Sequence, residues 1–467
     1  MNINRKKEAQ FWKLGDGGNV TIIHSKLIEF LNEQGFLNIM ISPSHRMLVR
    51  KENNLIRESS INEICETVRD NLKNCGYPEV YEAFVKGVGS YINNTKLGLI
   101  NNQELLNDRD KTDESCFYFN NCFFKINKDS IQKEDLSSLE AVIWKSRVIN
   151  HDFSDPKTHE SGQFEMFVEL ITGSDERFIA LKTALGYLLH RNKEKGEDKA
   201  LIFYDAKMGE LGSANGGTGK TLLSQAIARC REVVSYDGKE IKKGSWFKNQ
   251  RINLTTDVIV YDDLERTTSL EDFYSIITSG IEIEKKRQQS FFLDRDNSPK
   301  IMMTSNYIVG GPTGSTDERR RYEFELINYF DANYRPEDEF GNRFFGSNWS
   351  EEEENKFYLF MMSCVKEYLF HGLLKPTPIN LGNHKLKSGT CTEFEEFAKA
   401  NVEVGIKQNK RELRQKFKNL NPHLSDMNAH VFDKWMKIYA ESIDCDFKSK
   451  SSGGNLFCWT KSRTDAG

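Results

Sequence analysis

The sequence predicts an α/β chain built around a parallel sheet, with an α+β region before it and a mainly helical region after it. Three observations carry this. Residues 200–204, 258–261 and 300–304 form short apolar runs separated by stretches of helical periodicity, the alternation that builds parallel sheets. Residues 10–110 mix strand-like runs at 20–23, 36–41 and 47–49 with a helical pattern over 61–72. The last region, from 381 to 467, places helical patterns at 394–404, 410–420 and 431–443 before a Ser-Ser-Gly-Gly turn at 451–454, the element order of a winged helix.

Punctuation divides the chain further. Residues 107–114 are charged and lack apolar anchors, so they read as a solvated linker closing an N-terminal α+β domain over 1–110. Two aromatic, β-prone segments meet at Asn120-Asn121, a hairpin turn. Helical periodicity then runs over 139–191, with Phe164, Phe167, Leu170 and Ile171 on one face, which gives a hairpin-and-collar region over 111–196. It ends in a second solvated connector at 191–196. The central α/β domain spans 197–335, a helical lid or connector spans 336–380, and Phe432, Trp435 and Tyr439 form a core stripe in the C-terminal region.

Composition narrows the classes of function. With 65 Lys+Arg against 69 Asp+Glu the net charge is -4, so nucleic acid is not bound through bulk positive charge and any such site must be local. A mean hydropathy of -0.60, and no run approaching the roughly 18 apolar residues of a membrane span, exclude a membrane protein. The polar N-terminus lacks a signal-peptide apolar stretch, so the expected compartment is the cytoplasm. The nine cysteines contain no C-x-x-C pair, and neither a zinc ribbon nor a disulfide framework is expected.

The chemistry concentrates in the central domain. Ala214-Asn215-Gly216-Gly217-Thr218-Gly219-Lys220-Thr221 lies between the strand ending at Tyr204 and a helical pattern from Leu222, the setting of a phosphate-binding loop. Its glycines let backbone N–H groups turn around phosphate oxygens at a helix N-terminus. Lys220 would reach the β- and γ-phosphates of ATP, and the Thr221 hydroxyl would hold Mg²⁺. Ala214 stands where the usual pattern has its first glycine.

Three further pieces follow. Residues 257–261 lead an apolar strand into Asp262 and Asp263, one carboxylate for the Mg²⁺ water shell and one to polarise the attacking water. Residues 299–305 form another buried strand ending at Asn306, an amide able to orient that water and sense the γ-phosphate. Asp317-Glu318-Arg319-Arg320-Arg321 offers guanidinium groups to a neighbouring subunit's phosphate, with Arg320 and Arg321 leading because they lie closest to the next strand.

These pieces, in this order and within about 110 residues, resemble the superfamily III helicases, the AAA+ ring helicases of small DNA viruses, phages and plasmids. The resemblance implies Walker A at 214–221, Walker B ending in Asp262 and Asp263, and motif C ending in Asn306. It also implies a basic segment and a pore hairpin between B and C. Lys285, Lys286 and Arg287 occupy that interval, followed by Phe291 and Phe292, with a tip expected at 293–298 that would carry Arg295. The flanks resemble, less specifically, the helicase part of phage and mobile-element primase-helicase proteins of the poxvirus type. Neither a primase signature nor a His-hydrophobe-His nickase motif is found in the sequence.

The expected activity is that of an ATP- and Mg²⁺-dependent replicative DNA helicase of a phage or mobile element. It would assemble as a homo-oligomeric ring, expected as a hexamer, act on single-stranded DNA and replication forks, and work beside a separate primase or polymerase. The alternatives are an AAA+ motor that remodels protein or packages DNA without unwinding it, and an ATP-switched DNA-binding replication initiator.

Overall fold

The computed structural model describes residues 10–15, 17–42, 45–74, 76–104, 108–208, 217–240, 249–286, 290–312, 314–443, 445–452 and 455–462. At its centre is a five-stranded parallel sheet, made of β1 (Ala200–Asp205), β2 (Val233–Asp237), β3 (Val258–Leu264), β4 (Lys300–Ser305) and β5 (Arg321–Leu326). The spatial order is β2-β3-β4-β1-β5. All three expected apolar runs are strands of this sheet. They read as continuous apolar runs because both faces are covered. Leu201, Phe203, Val258, Val260 and Met302 pack on one face against the helices Asp175–Leu189 and Lys220–Cys230. Ile202, Tyr204, Ile259, Tyr261, Ile301 and Met303 pack on the other.

That second face continues into the N-terminal region. There a five-stranded sheet runs in the order Ile143–Trp144, Leu55–Glu58, His45–Glu52, Phe36–Ser42, Asn102–Glu104. Strand alternation divides its side chains: Met47 and Val49 face the central sheet, and Leu48 faces the core formed with helices His24–Glu33, Ile61–Asn74 and Pro78–Tyr91. The sheet's edge strand Ile143–Trp144 comes from well beyond residue 110.

The Asn120-Asn121 turn joins strands Ser115–Phe119 and Cys122–Ile126 as expected. Helical periodicity over 139–191, however, is realised only in Gln163–Leu170 and Asp175–Leu189. The β-branched pairs Val142-Ile143 and Val148-Ile149 lie instead at short edge strands of two different sheets. Helix Asp175–Leu189 packs tightly on helix Glu351–His371, and a Cβ at Gly186 would stand 2.1 Å from the Cys364 carbonyl oxygen, so only glycine fits. The C-terminal region has helices Thr392–Asn401, Lys410–Leu420 and Ala429–Ser442, then paired strands Cys445–Ser452 and Asn455–Ser462. Phe432 and Tyr439 of the expected stripe are buried with Phe394 and Phe417, and Trp435 packs beside them. Among the described residues, no helix is long and apolar enough to cross a membrane.

Two expected solvated segments are corrected in part: 111–113 and 194–196 are exposed, but 108–110 and Arg191 are drawn into the protein. Asp108 and Asp110 lie below the sheet's N-terminal edge, where Asp108 pairs with Arg147 at 2.8 Å and Asp110 with Arg191 at 2.7 Å. Arg147 also reaches Asp257, the residue before β3, at 2.6 Å, and Arg109 reaches the same carboxylate at 3.2 Å. Arg231, just after helix Lys220–Cys230, donates to the Leu189 carbonyl at 2.6 Å and lies 3.8 Å over the Phe117 ring. Burial alone would raise the Asp110 carboxyl, but Arg191 and Arg231 outweigh it and hold the group well below its usual range. Burial drives the Lys300 ammonium well down from its usual range, and its Nζ donates to the Tyr187 and His190 carbonyls at 2.6 Å each. A charge run therefore marks here a buried junction between layers.

Removing one member of a buried, hydrogen-bonded ion cluster leaves its partners' charge uncompensated. Asp257→Ala should lower the stability of the chain by about 3–5 kcal/mol, read as a lower urea midpoint. A wild-type midpoint would show that Arg147 and Arg109 do not depend on this carboxylate.

Candidate functional site

The site lies at the opposite, C-terminal edge of the sheet, where open α/β sheets hold ligands. Gly217, Thr218 and Gly219 lead into helix Lys220–Cys230; Asn215 and Gly216, with Ala214, lie outside the described residues. Gly217 and Gly219 have φ values of +106° and +105°, a region open to glycine. A Cβ at Gly219 would also stand 2.5 Å from the Phe167 ring. This left-handed turn delivers the chain to a helix N-terminus whose first N–H groups have no partner within the helix, a setting that favours an anion.

Three strand ends converge on Lys220. Its Nζ donates to the Asn306 side-chain oxygen at 3.1 Å and pairs with Asp205, the last residue of β1. Asp205 is buried and also accepts from the Thr218 hydroxyl. Asn306, just beyond β4, donates through Nδ2 to Asp263 at 3.0 Å. Lys220, Asn306 and Asp263 thus form one continuous hydrogen-bonded chain across β1, β4 and β3. The structure brings these three residues together.

The end of β3 is shaped for this. Its pairing with β4 shifts register between Tyr261 and Leu264, and Asp263 takes φ +56°, uncommon for a residue with a side chain. The Asp263 N–H donates to the Thr304 hydroxyl at 2.8 Å, and that hydroxyl donates to Asp262 Oδ1 at 2.5 Å. Thr304 therefore binds the Asp262 carboxylate and the Asp263 backbone, while the Asp263 carboxylate accepts from Asn306. Lys239, after β2, pairs with the second oxygen of Asp263.

The donor set suits a hard divalent cation held mainly by phosphate and water: the Asp262 carboxylate offers oxygen, and the Thr221 hydroxyl belongs to an exposed residue in the first turn of the helix. Sequence reasoning missed Asp205, Thr304 and Lys239. Asp205 and Thr304 each sit at the polar end of an apolar strand, which is the signal that finds them. Lys239 lies in a turn without any such signal.

The arginines separate by environment. Arg321 donates to Asp317 at 2.7 Å, Glu323 at 3.1 Å, and the carbonyls of Val309 and Gly310 at 2.9 and 3.0 Å. Its fork is occupied within its own chain. Arg320 lies 4.8 Å over the Tyr274 ring and donates to the Thr316 carbonyl at 2.9 Å. Arg319 is the most exposed of the three, its Nε donating to the Ser315 carbonyl.

Between β3 and β4 a hairpin pairs Gly280–Ile283 with Phe291–Asp294. Its strands part after the Ile283–Phe291 pair, so the tip expected at 293–298 is displaced toward Lys285 and Lys286; Arg287 lies outside the described residues. Ile281, Ile283, Phe291 and Leu293 anchor the hairpin in the core, whereas Phe292 is 56% exposed. Lys286 is exposed, and Lys285 reaches Asn253 at 2.6 Å. Arg295 is corrected as a tip residue: it pairs with the buried Asp198 carboxylate at 2.7 Å and donates to the Lys193 carbonyl at 3.0 Å, at the base of the hairpin.

Residues 211–321, about a quarter of the chain, match a family of unknown function, DUF5906. No curated protein matches. Among solved structures, two A-form apo structures of the NrS-1 C-terminal region are similar at 10% identity. One covers 92% of this chain and 98% of that one with a TM-score of 0.39; the other covers 93% and 98% with 0.42. A structure of JCV Helicase with a bound small molecule is similar at 12% identity over 59% of this chain and 64% of that one, with a TM-score of 0.27. Likenesses this distant carry no assignment of activity.

The environment of Arg321 gives a direct expectation. Arg321→Ala should lower stability by about 2 kcal/mol by leaving Asp317 and Glu323 short of a partner, while Arg319→Ala should leave the thermal midpoint unchanged. Equal midpoints for the two variants would contradict the bonding described for Arg321.

Proposed function

We propose that the chain is an ATP- and Mg²⁺-dependent motor of the superfamily III helicase kind, ring-forming and acting on DNA. The observation that carries this reading is the Lys220–Asn306–Asp263 chain, which brings the three motifs that the resemblance names together at one sheet edge. The strand order supports it, since β4 separates the phosphate-loop strand β1 from the acidic strand β3 and so places Asn306 between Lys220 and Asp263.

In this reading Gly217, Thr218 and Gly219 receive phosphate oxygens, and Lys220 leaves its carboxylate partner to neutralise the γ-phosphate. Mg²⁺, when bound through Thr221 and Asp262, supplies charge neutralisation at the phosphates. Asp263 orients and deprotonates the attacking water, and Asn306 ties the state of that carboxylate to Lys220. Of the arginines, Arg319 is the one we assign to a neighbour's phosphate, because its guanidinium carries the fewest commitments within its own chain. The hairpin loop with Lys285 and Lys286 faces single-stranded DNA in the ring, Phe292 offers a base-stacking surface, and the C-terminal region serves as a winged-helix-like domain.

Lys220→Ala should remove ATP hydrolysis while keeping the circular dichroism spectrum of wild type, with a lower thermal midpoint because the buried Asp205 loses its cation. Mixing it with Arg319→Ala should restore part of the activity at mixed interfaces, with native mass reporting the ring. A Lys220→Ala protein that hydrolyses ATP normally would end the phosphate-loop reading; rings that mix without any recovery would end the trans role of Arg319.

The hairpin gives a separate test. Neutralising Lys285 and Lys286 together removes phosphate contacts, so stimulation of the ATPase by single-stranded DNA, and strand displacement, should fall about tenfold or more, with a shallower salt dependence. Basal ATPase and oligomer mass should persist. Strand displacement at the wild-type rate would remove the hairpin from the DNA path and favour a motor that remodels protein.

A further inference from the structure

We infer that Tyr329 and Tyr334 form the platform that binds the nucleobase of the triphosphate, with a preference for a purine; the inference rests on the phosphate-loop reading. The two tyrosines lie on the loop after β5. Each is 40% exposed, and their ring centroids are 6.2 Å apart at 60°. Large aromatic faces left half-open in a protein with several buried aromatic clusters call for an explanation, and their position supplies one.

The loop touches the phosphate site directly. A Cβ built at Gly217 would lie 3.6 Å from the Asp331 carbonyl carbon and oxygen, so the turn 331–334 packs against the described end of the glycine loop. A ladder of near-parallel rings runs from beneath that loop to its side. Phe167 lies under Gly219, Phe330 stacks on Phe167 at 5.6 Å and 26°, and Tyr334 stacks on Phe330 at 6.0 Å and 19°. Phe167 and Phe330 are buried, and Tyr334 is the partly open end of the ladder. A base joined through ribose to phosphates at Gly217–Lys220 has this ring as an aromatic neighbour, and Tyr329 stands beside it at an angle.

The platform is fixed before any ligand arrives. Asp331 accepts from the N–H groups of Asn333 and Tyr334 at 2.7 and 3.0 Å, and the Asp331 N–H donates to the Tyr334 carbonyl at 2.9 Å. Both phenols meet the carboxylate of Glu339 on the helix Pro336–Phe340: Tyr334 donates to it, and Tyr329 reaches it at 3.5 Å. The hydrogen bond to Glu339 raises the Tyr334 phenol to about 12, so it stays a neutral donor throughout the working pH range. Ring orientation is thus set by the protein, which lowers the ordering cost of stacking. Aromatic stacking accepts any base but gains with ring area, so a two-ring purine binds better than a pyrimidine.

The test uses the full chain and calorimetric titration with ATP, CTP and inorganic tripolyphosphate. Wild type should bind ATP more tightly than CTP. Tyr334→Ala, alone or with Tyr329→Ala, should weaken ATP about tenfold, or ~1.4 kcal/mol, erase the difference between ATP and CTP, and leave tripolyphosphate affinity unchanged. Tyr334→Trp should restore ATP binding. Wild-type ATP affinity in the double variant would overturn the inference. So would a parallel loss of ATP and tripolyphosphate, which would mean that the loop acts only by supporting Gly217. Failure of tripolyphosphate and ATP alike to bind the wild-type protein would instead remove the phosphate-loop reading itself.

Discussion

The architecture depends on a buried constellation of opposite charges beneath the parallel sheet. Asp257 is its hub: placed just before β3, it accepts from Arg147 and Arg109 and lies one peptide away from the strand whose other end carries Asp262 and Asp263. Asp108, Asp110 and Arg191 bind a second layer to the first. An apolar contact would tolerate sliding between the N-terminal sheet, the collar helices and the central sheet. Guanidinium–carboxylate pairs with two or three defined partners each do not, because a small displacement leaves a charge unpaired in a low-dielectric setting. The cluster thus fixes the register of the layers, and the strands carry that register to the site at their far ends.

The two ends of the sheet differ in how far their charges meet solvent. Below, the charges are paired and buried. Above, Lys220 meets the buried Asp205 and, part-buried, Asn306, while the Asp263 carboxylate is shared between Asn306 and the exposed Lys239. The exposed bonds of Asp263 exchange with water at modest cost, which suits a carboxylate that must re-aim when an anion binds. The positive φ of Asp263 and the register shift beside it mark where the strand leaves regular pairing to present a carboxylate to Asn306.

Much of this was legible in the sequence, for definable reasons. The strands β1, β3 and β4 show as apolar runs because a parallel sheet covered on both faces needs uninterrupted apolar residues. Lys220, Asp262, Asp263 and Asn306 show because each stands where such a run, or a glycine turn, ends. What misled were charges whose meaning depends on burial. Residues 108–110 and Arg191 read as solvated because a one-dimensional pattern carries no record of partners 39 to 148 residues away. Arg321 and Arg295 read as available cations, and each proves to be spoken for by carboxylates and carbonyls on neighbouring segments. The hairpin was visible, but its tip was placed too late, because the charged run 294–297 after Phe291-Phe292-Leu293 looks as turn-like as the charged run 284–287 before it. Tyr329 and Tyr334 gave no signal at all, since only the fold brings their loop to Gly217.

The hairpin's construction bears on how a phosphate signal would reach DNA in the proposed motor. Its base is held at three points: Asn249 donates to the Glu282 carbonyl at 2.8 Å, Gly280 approaches Leu293 so closely that a Cβ would stand 2.3 Å from its oxygen, and Arg295 is tied to Asp198 just before β1. Ile281, Ile283 and Leu293 then root both strands in the core that also holds Ile259, Ile301 and Met303 of β3 and β4. An element rooted this way moves with the sheet as one body. In the proposed motor a change at Asp263 and Asn306 would therefore displace Lys285 and Lys286 by tilting the subunit, with little bending of the paired strands. In that motor the long side chains of Lys285 and Lys286 suit a contact that must grip phosphates at irregular spacing and let them go.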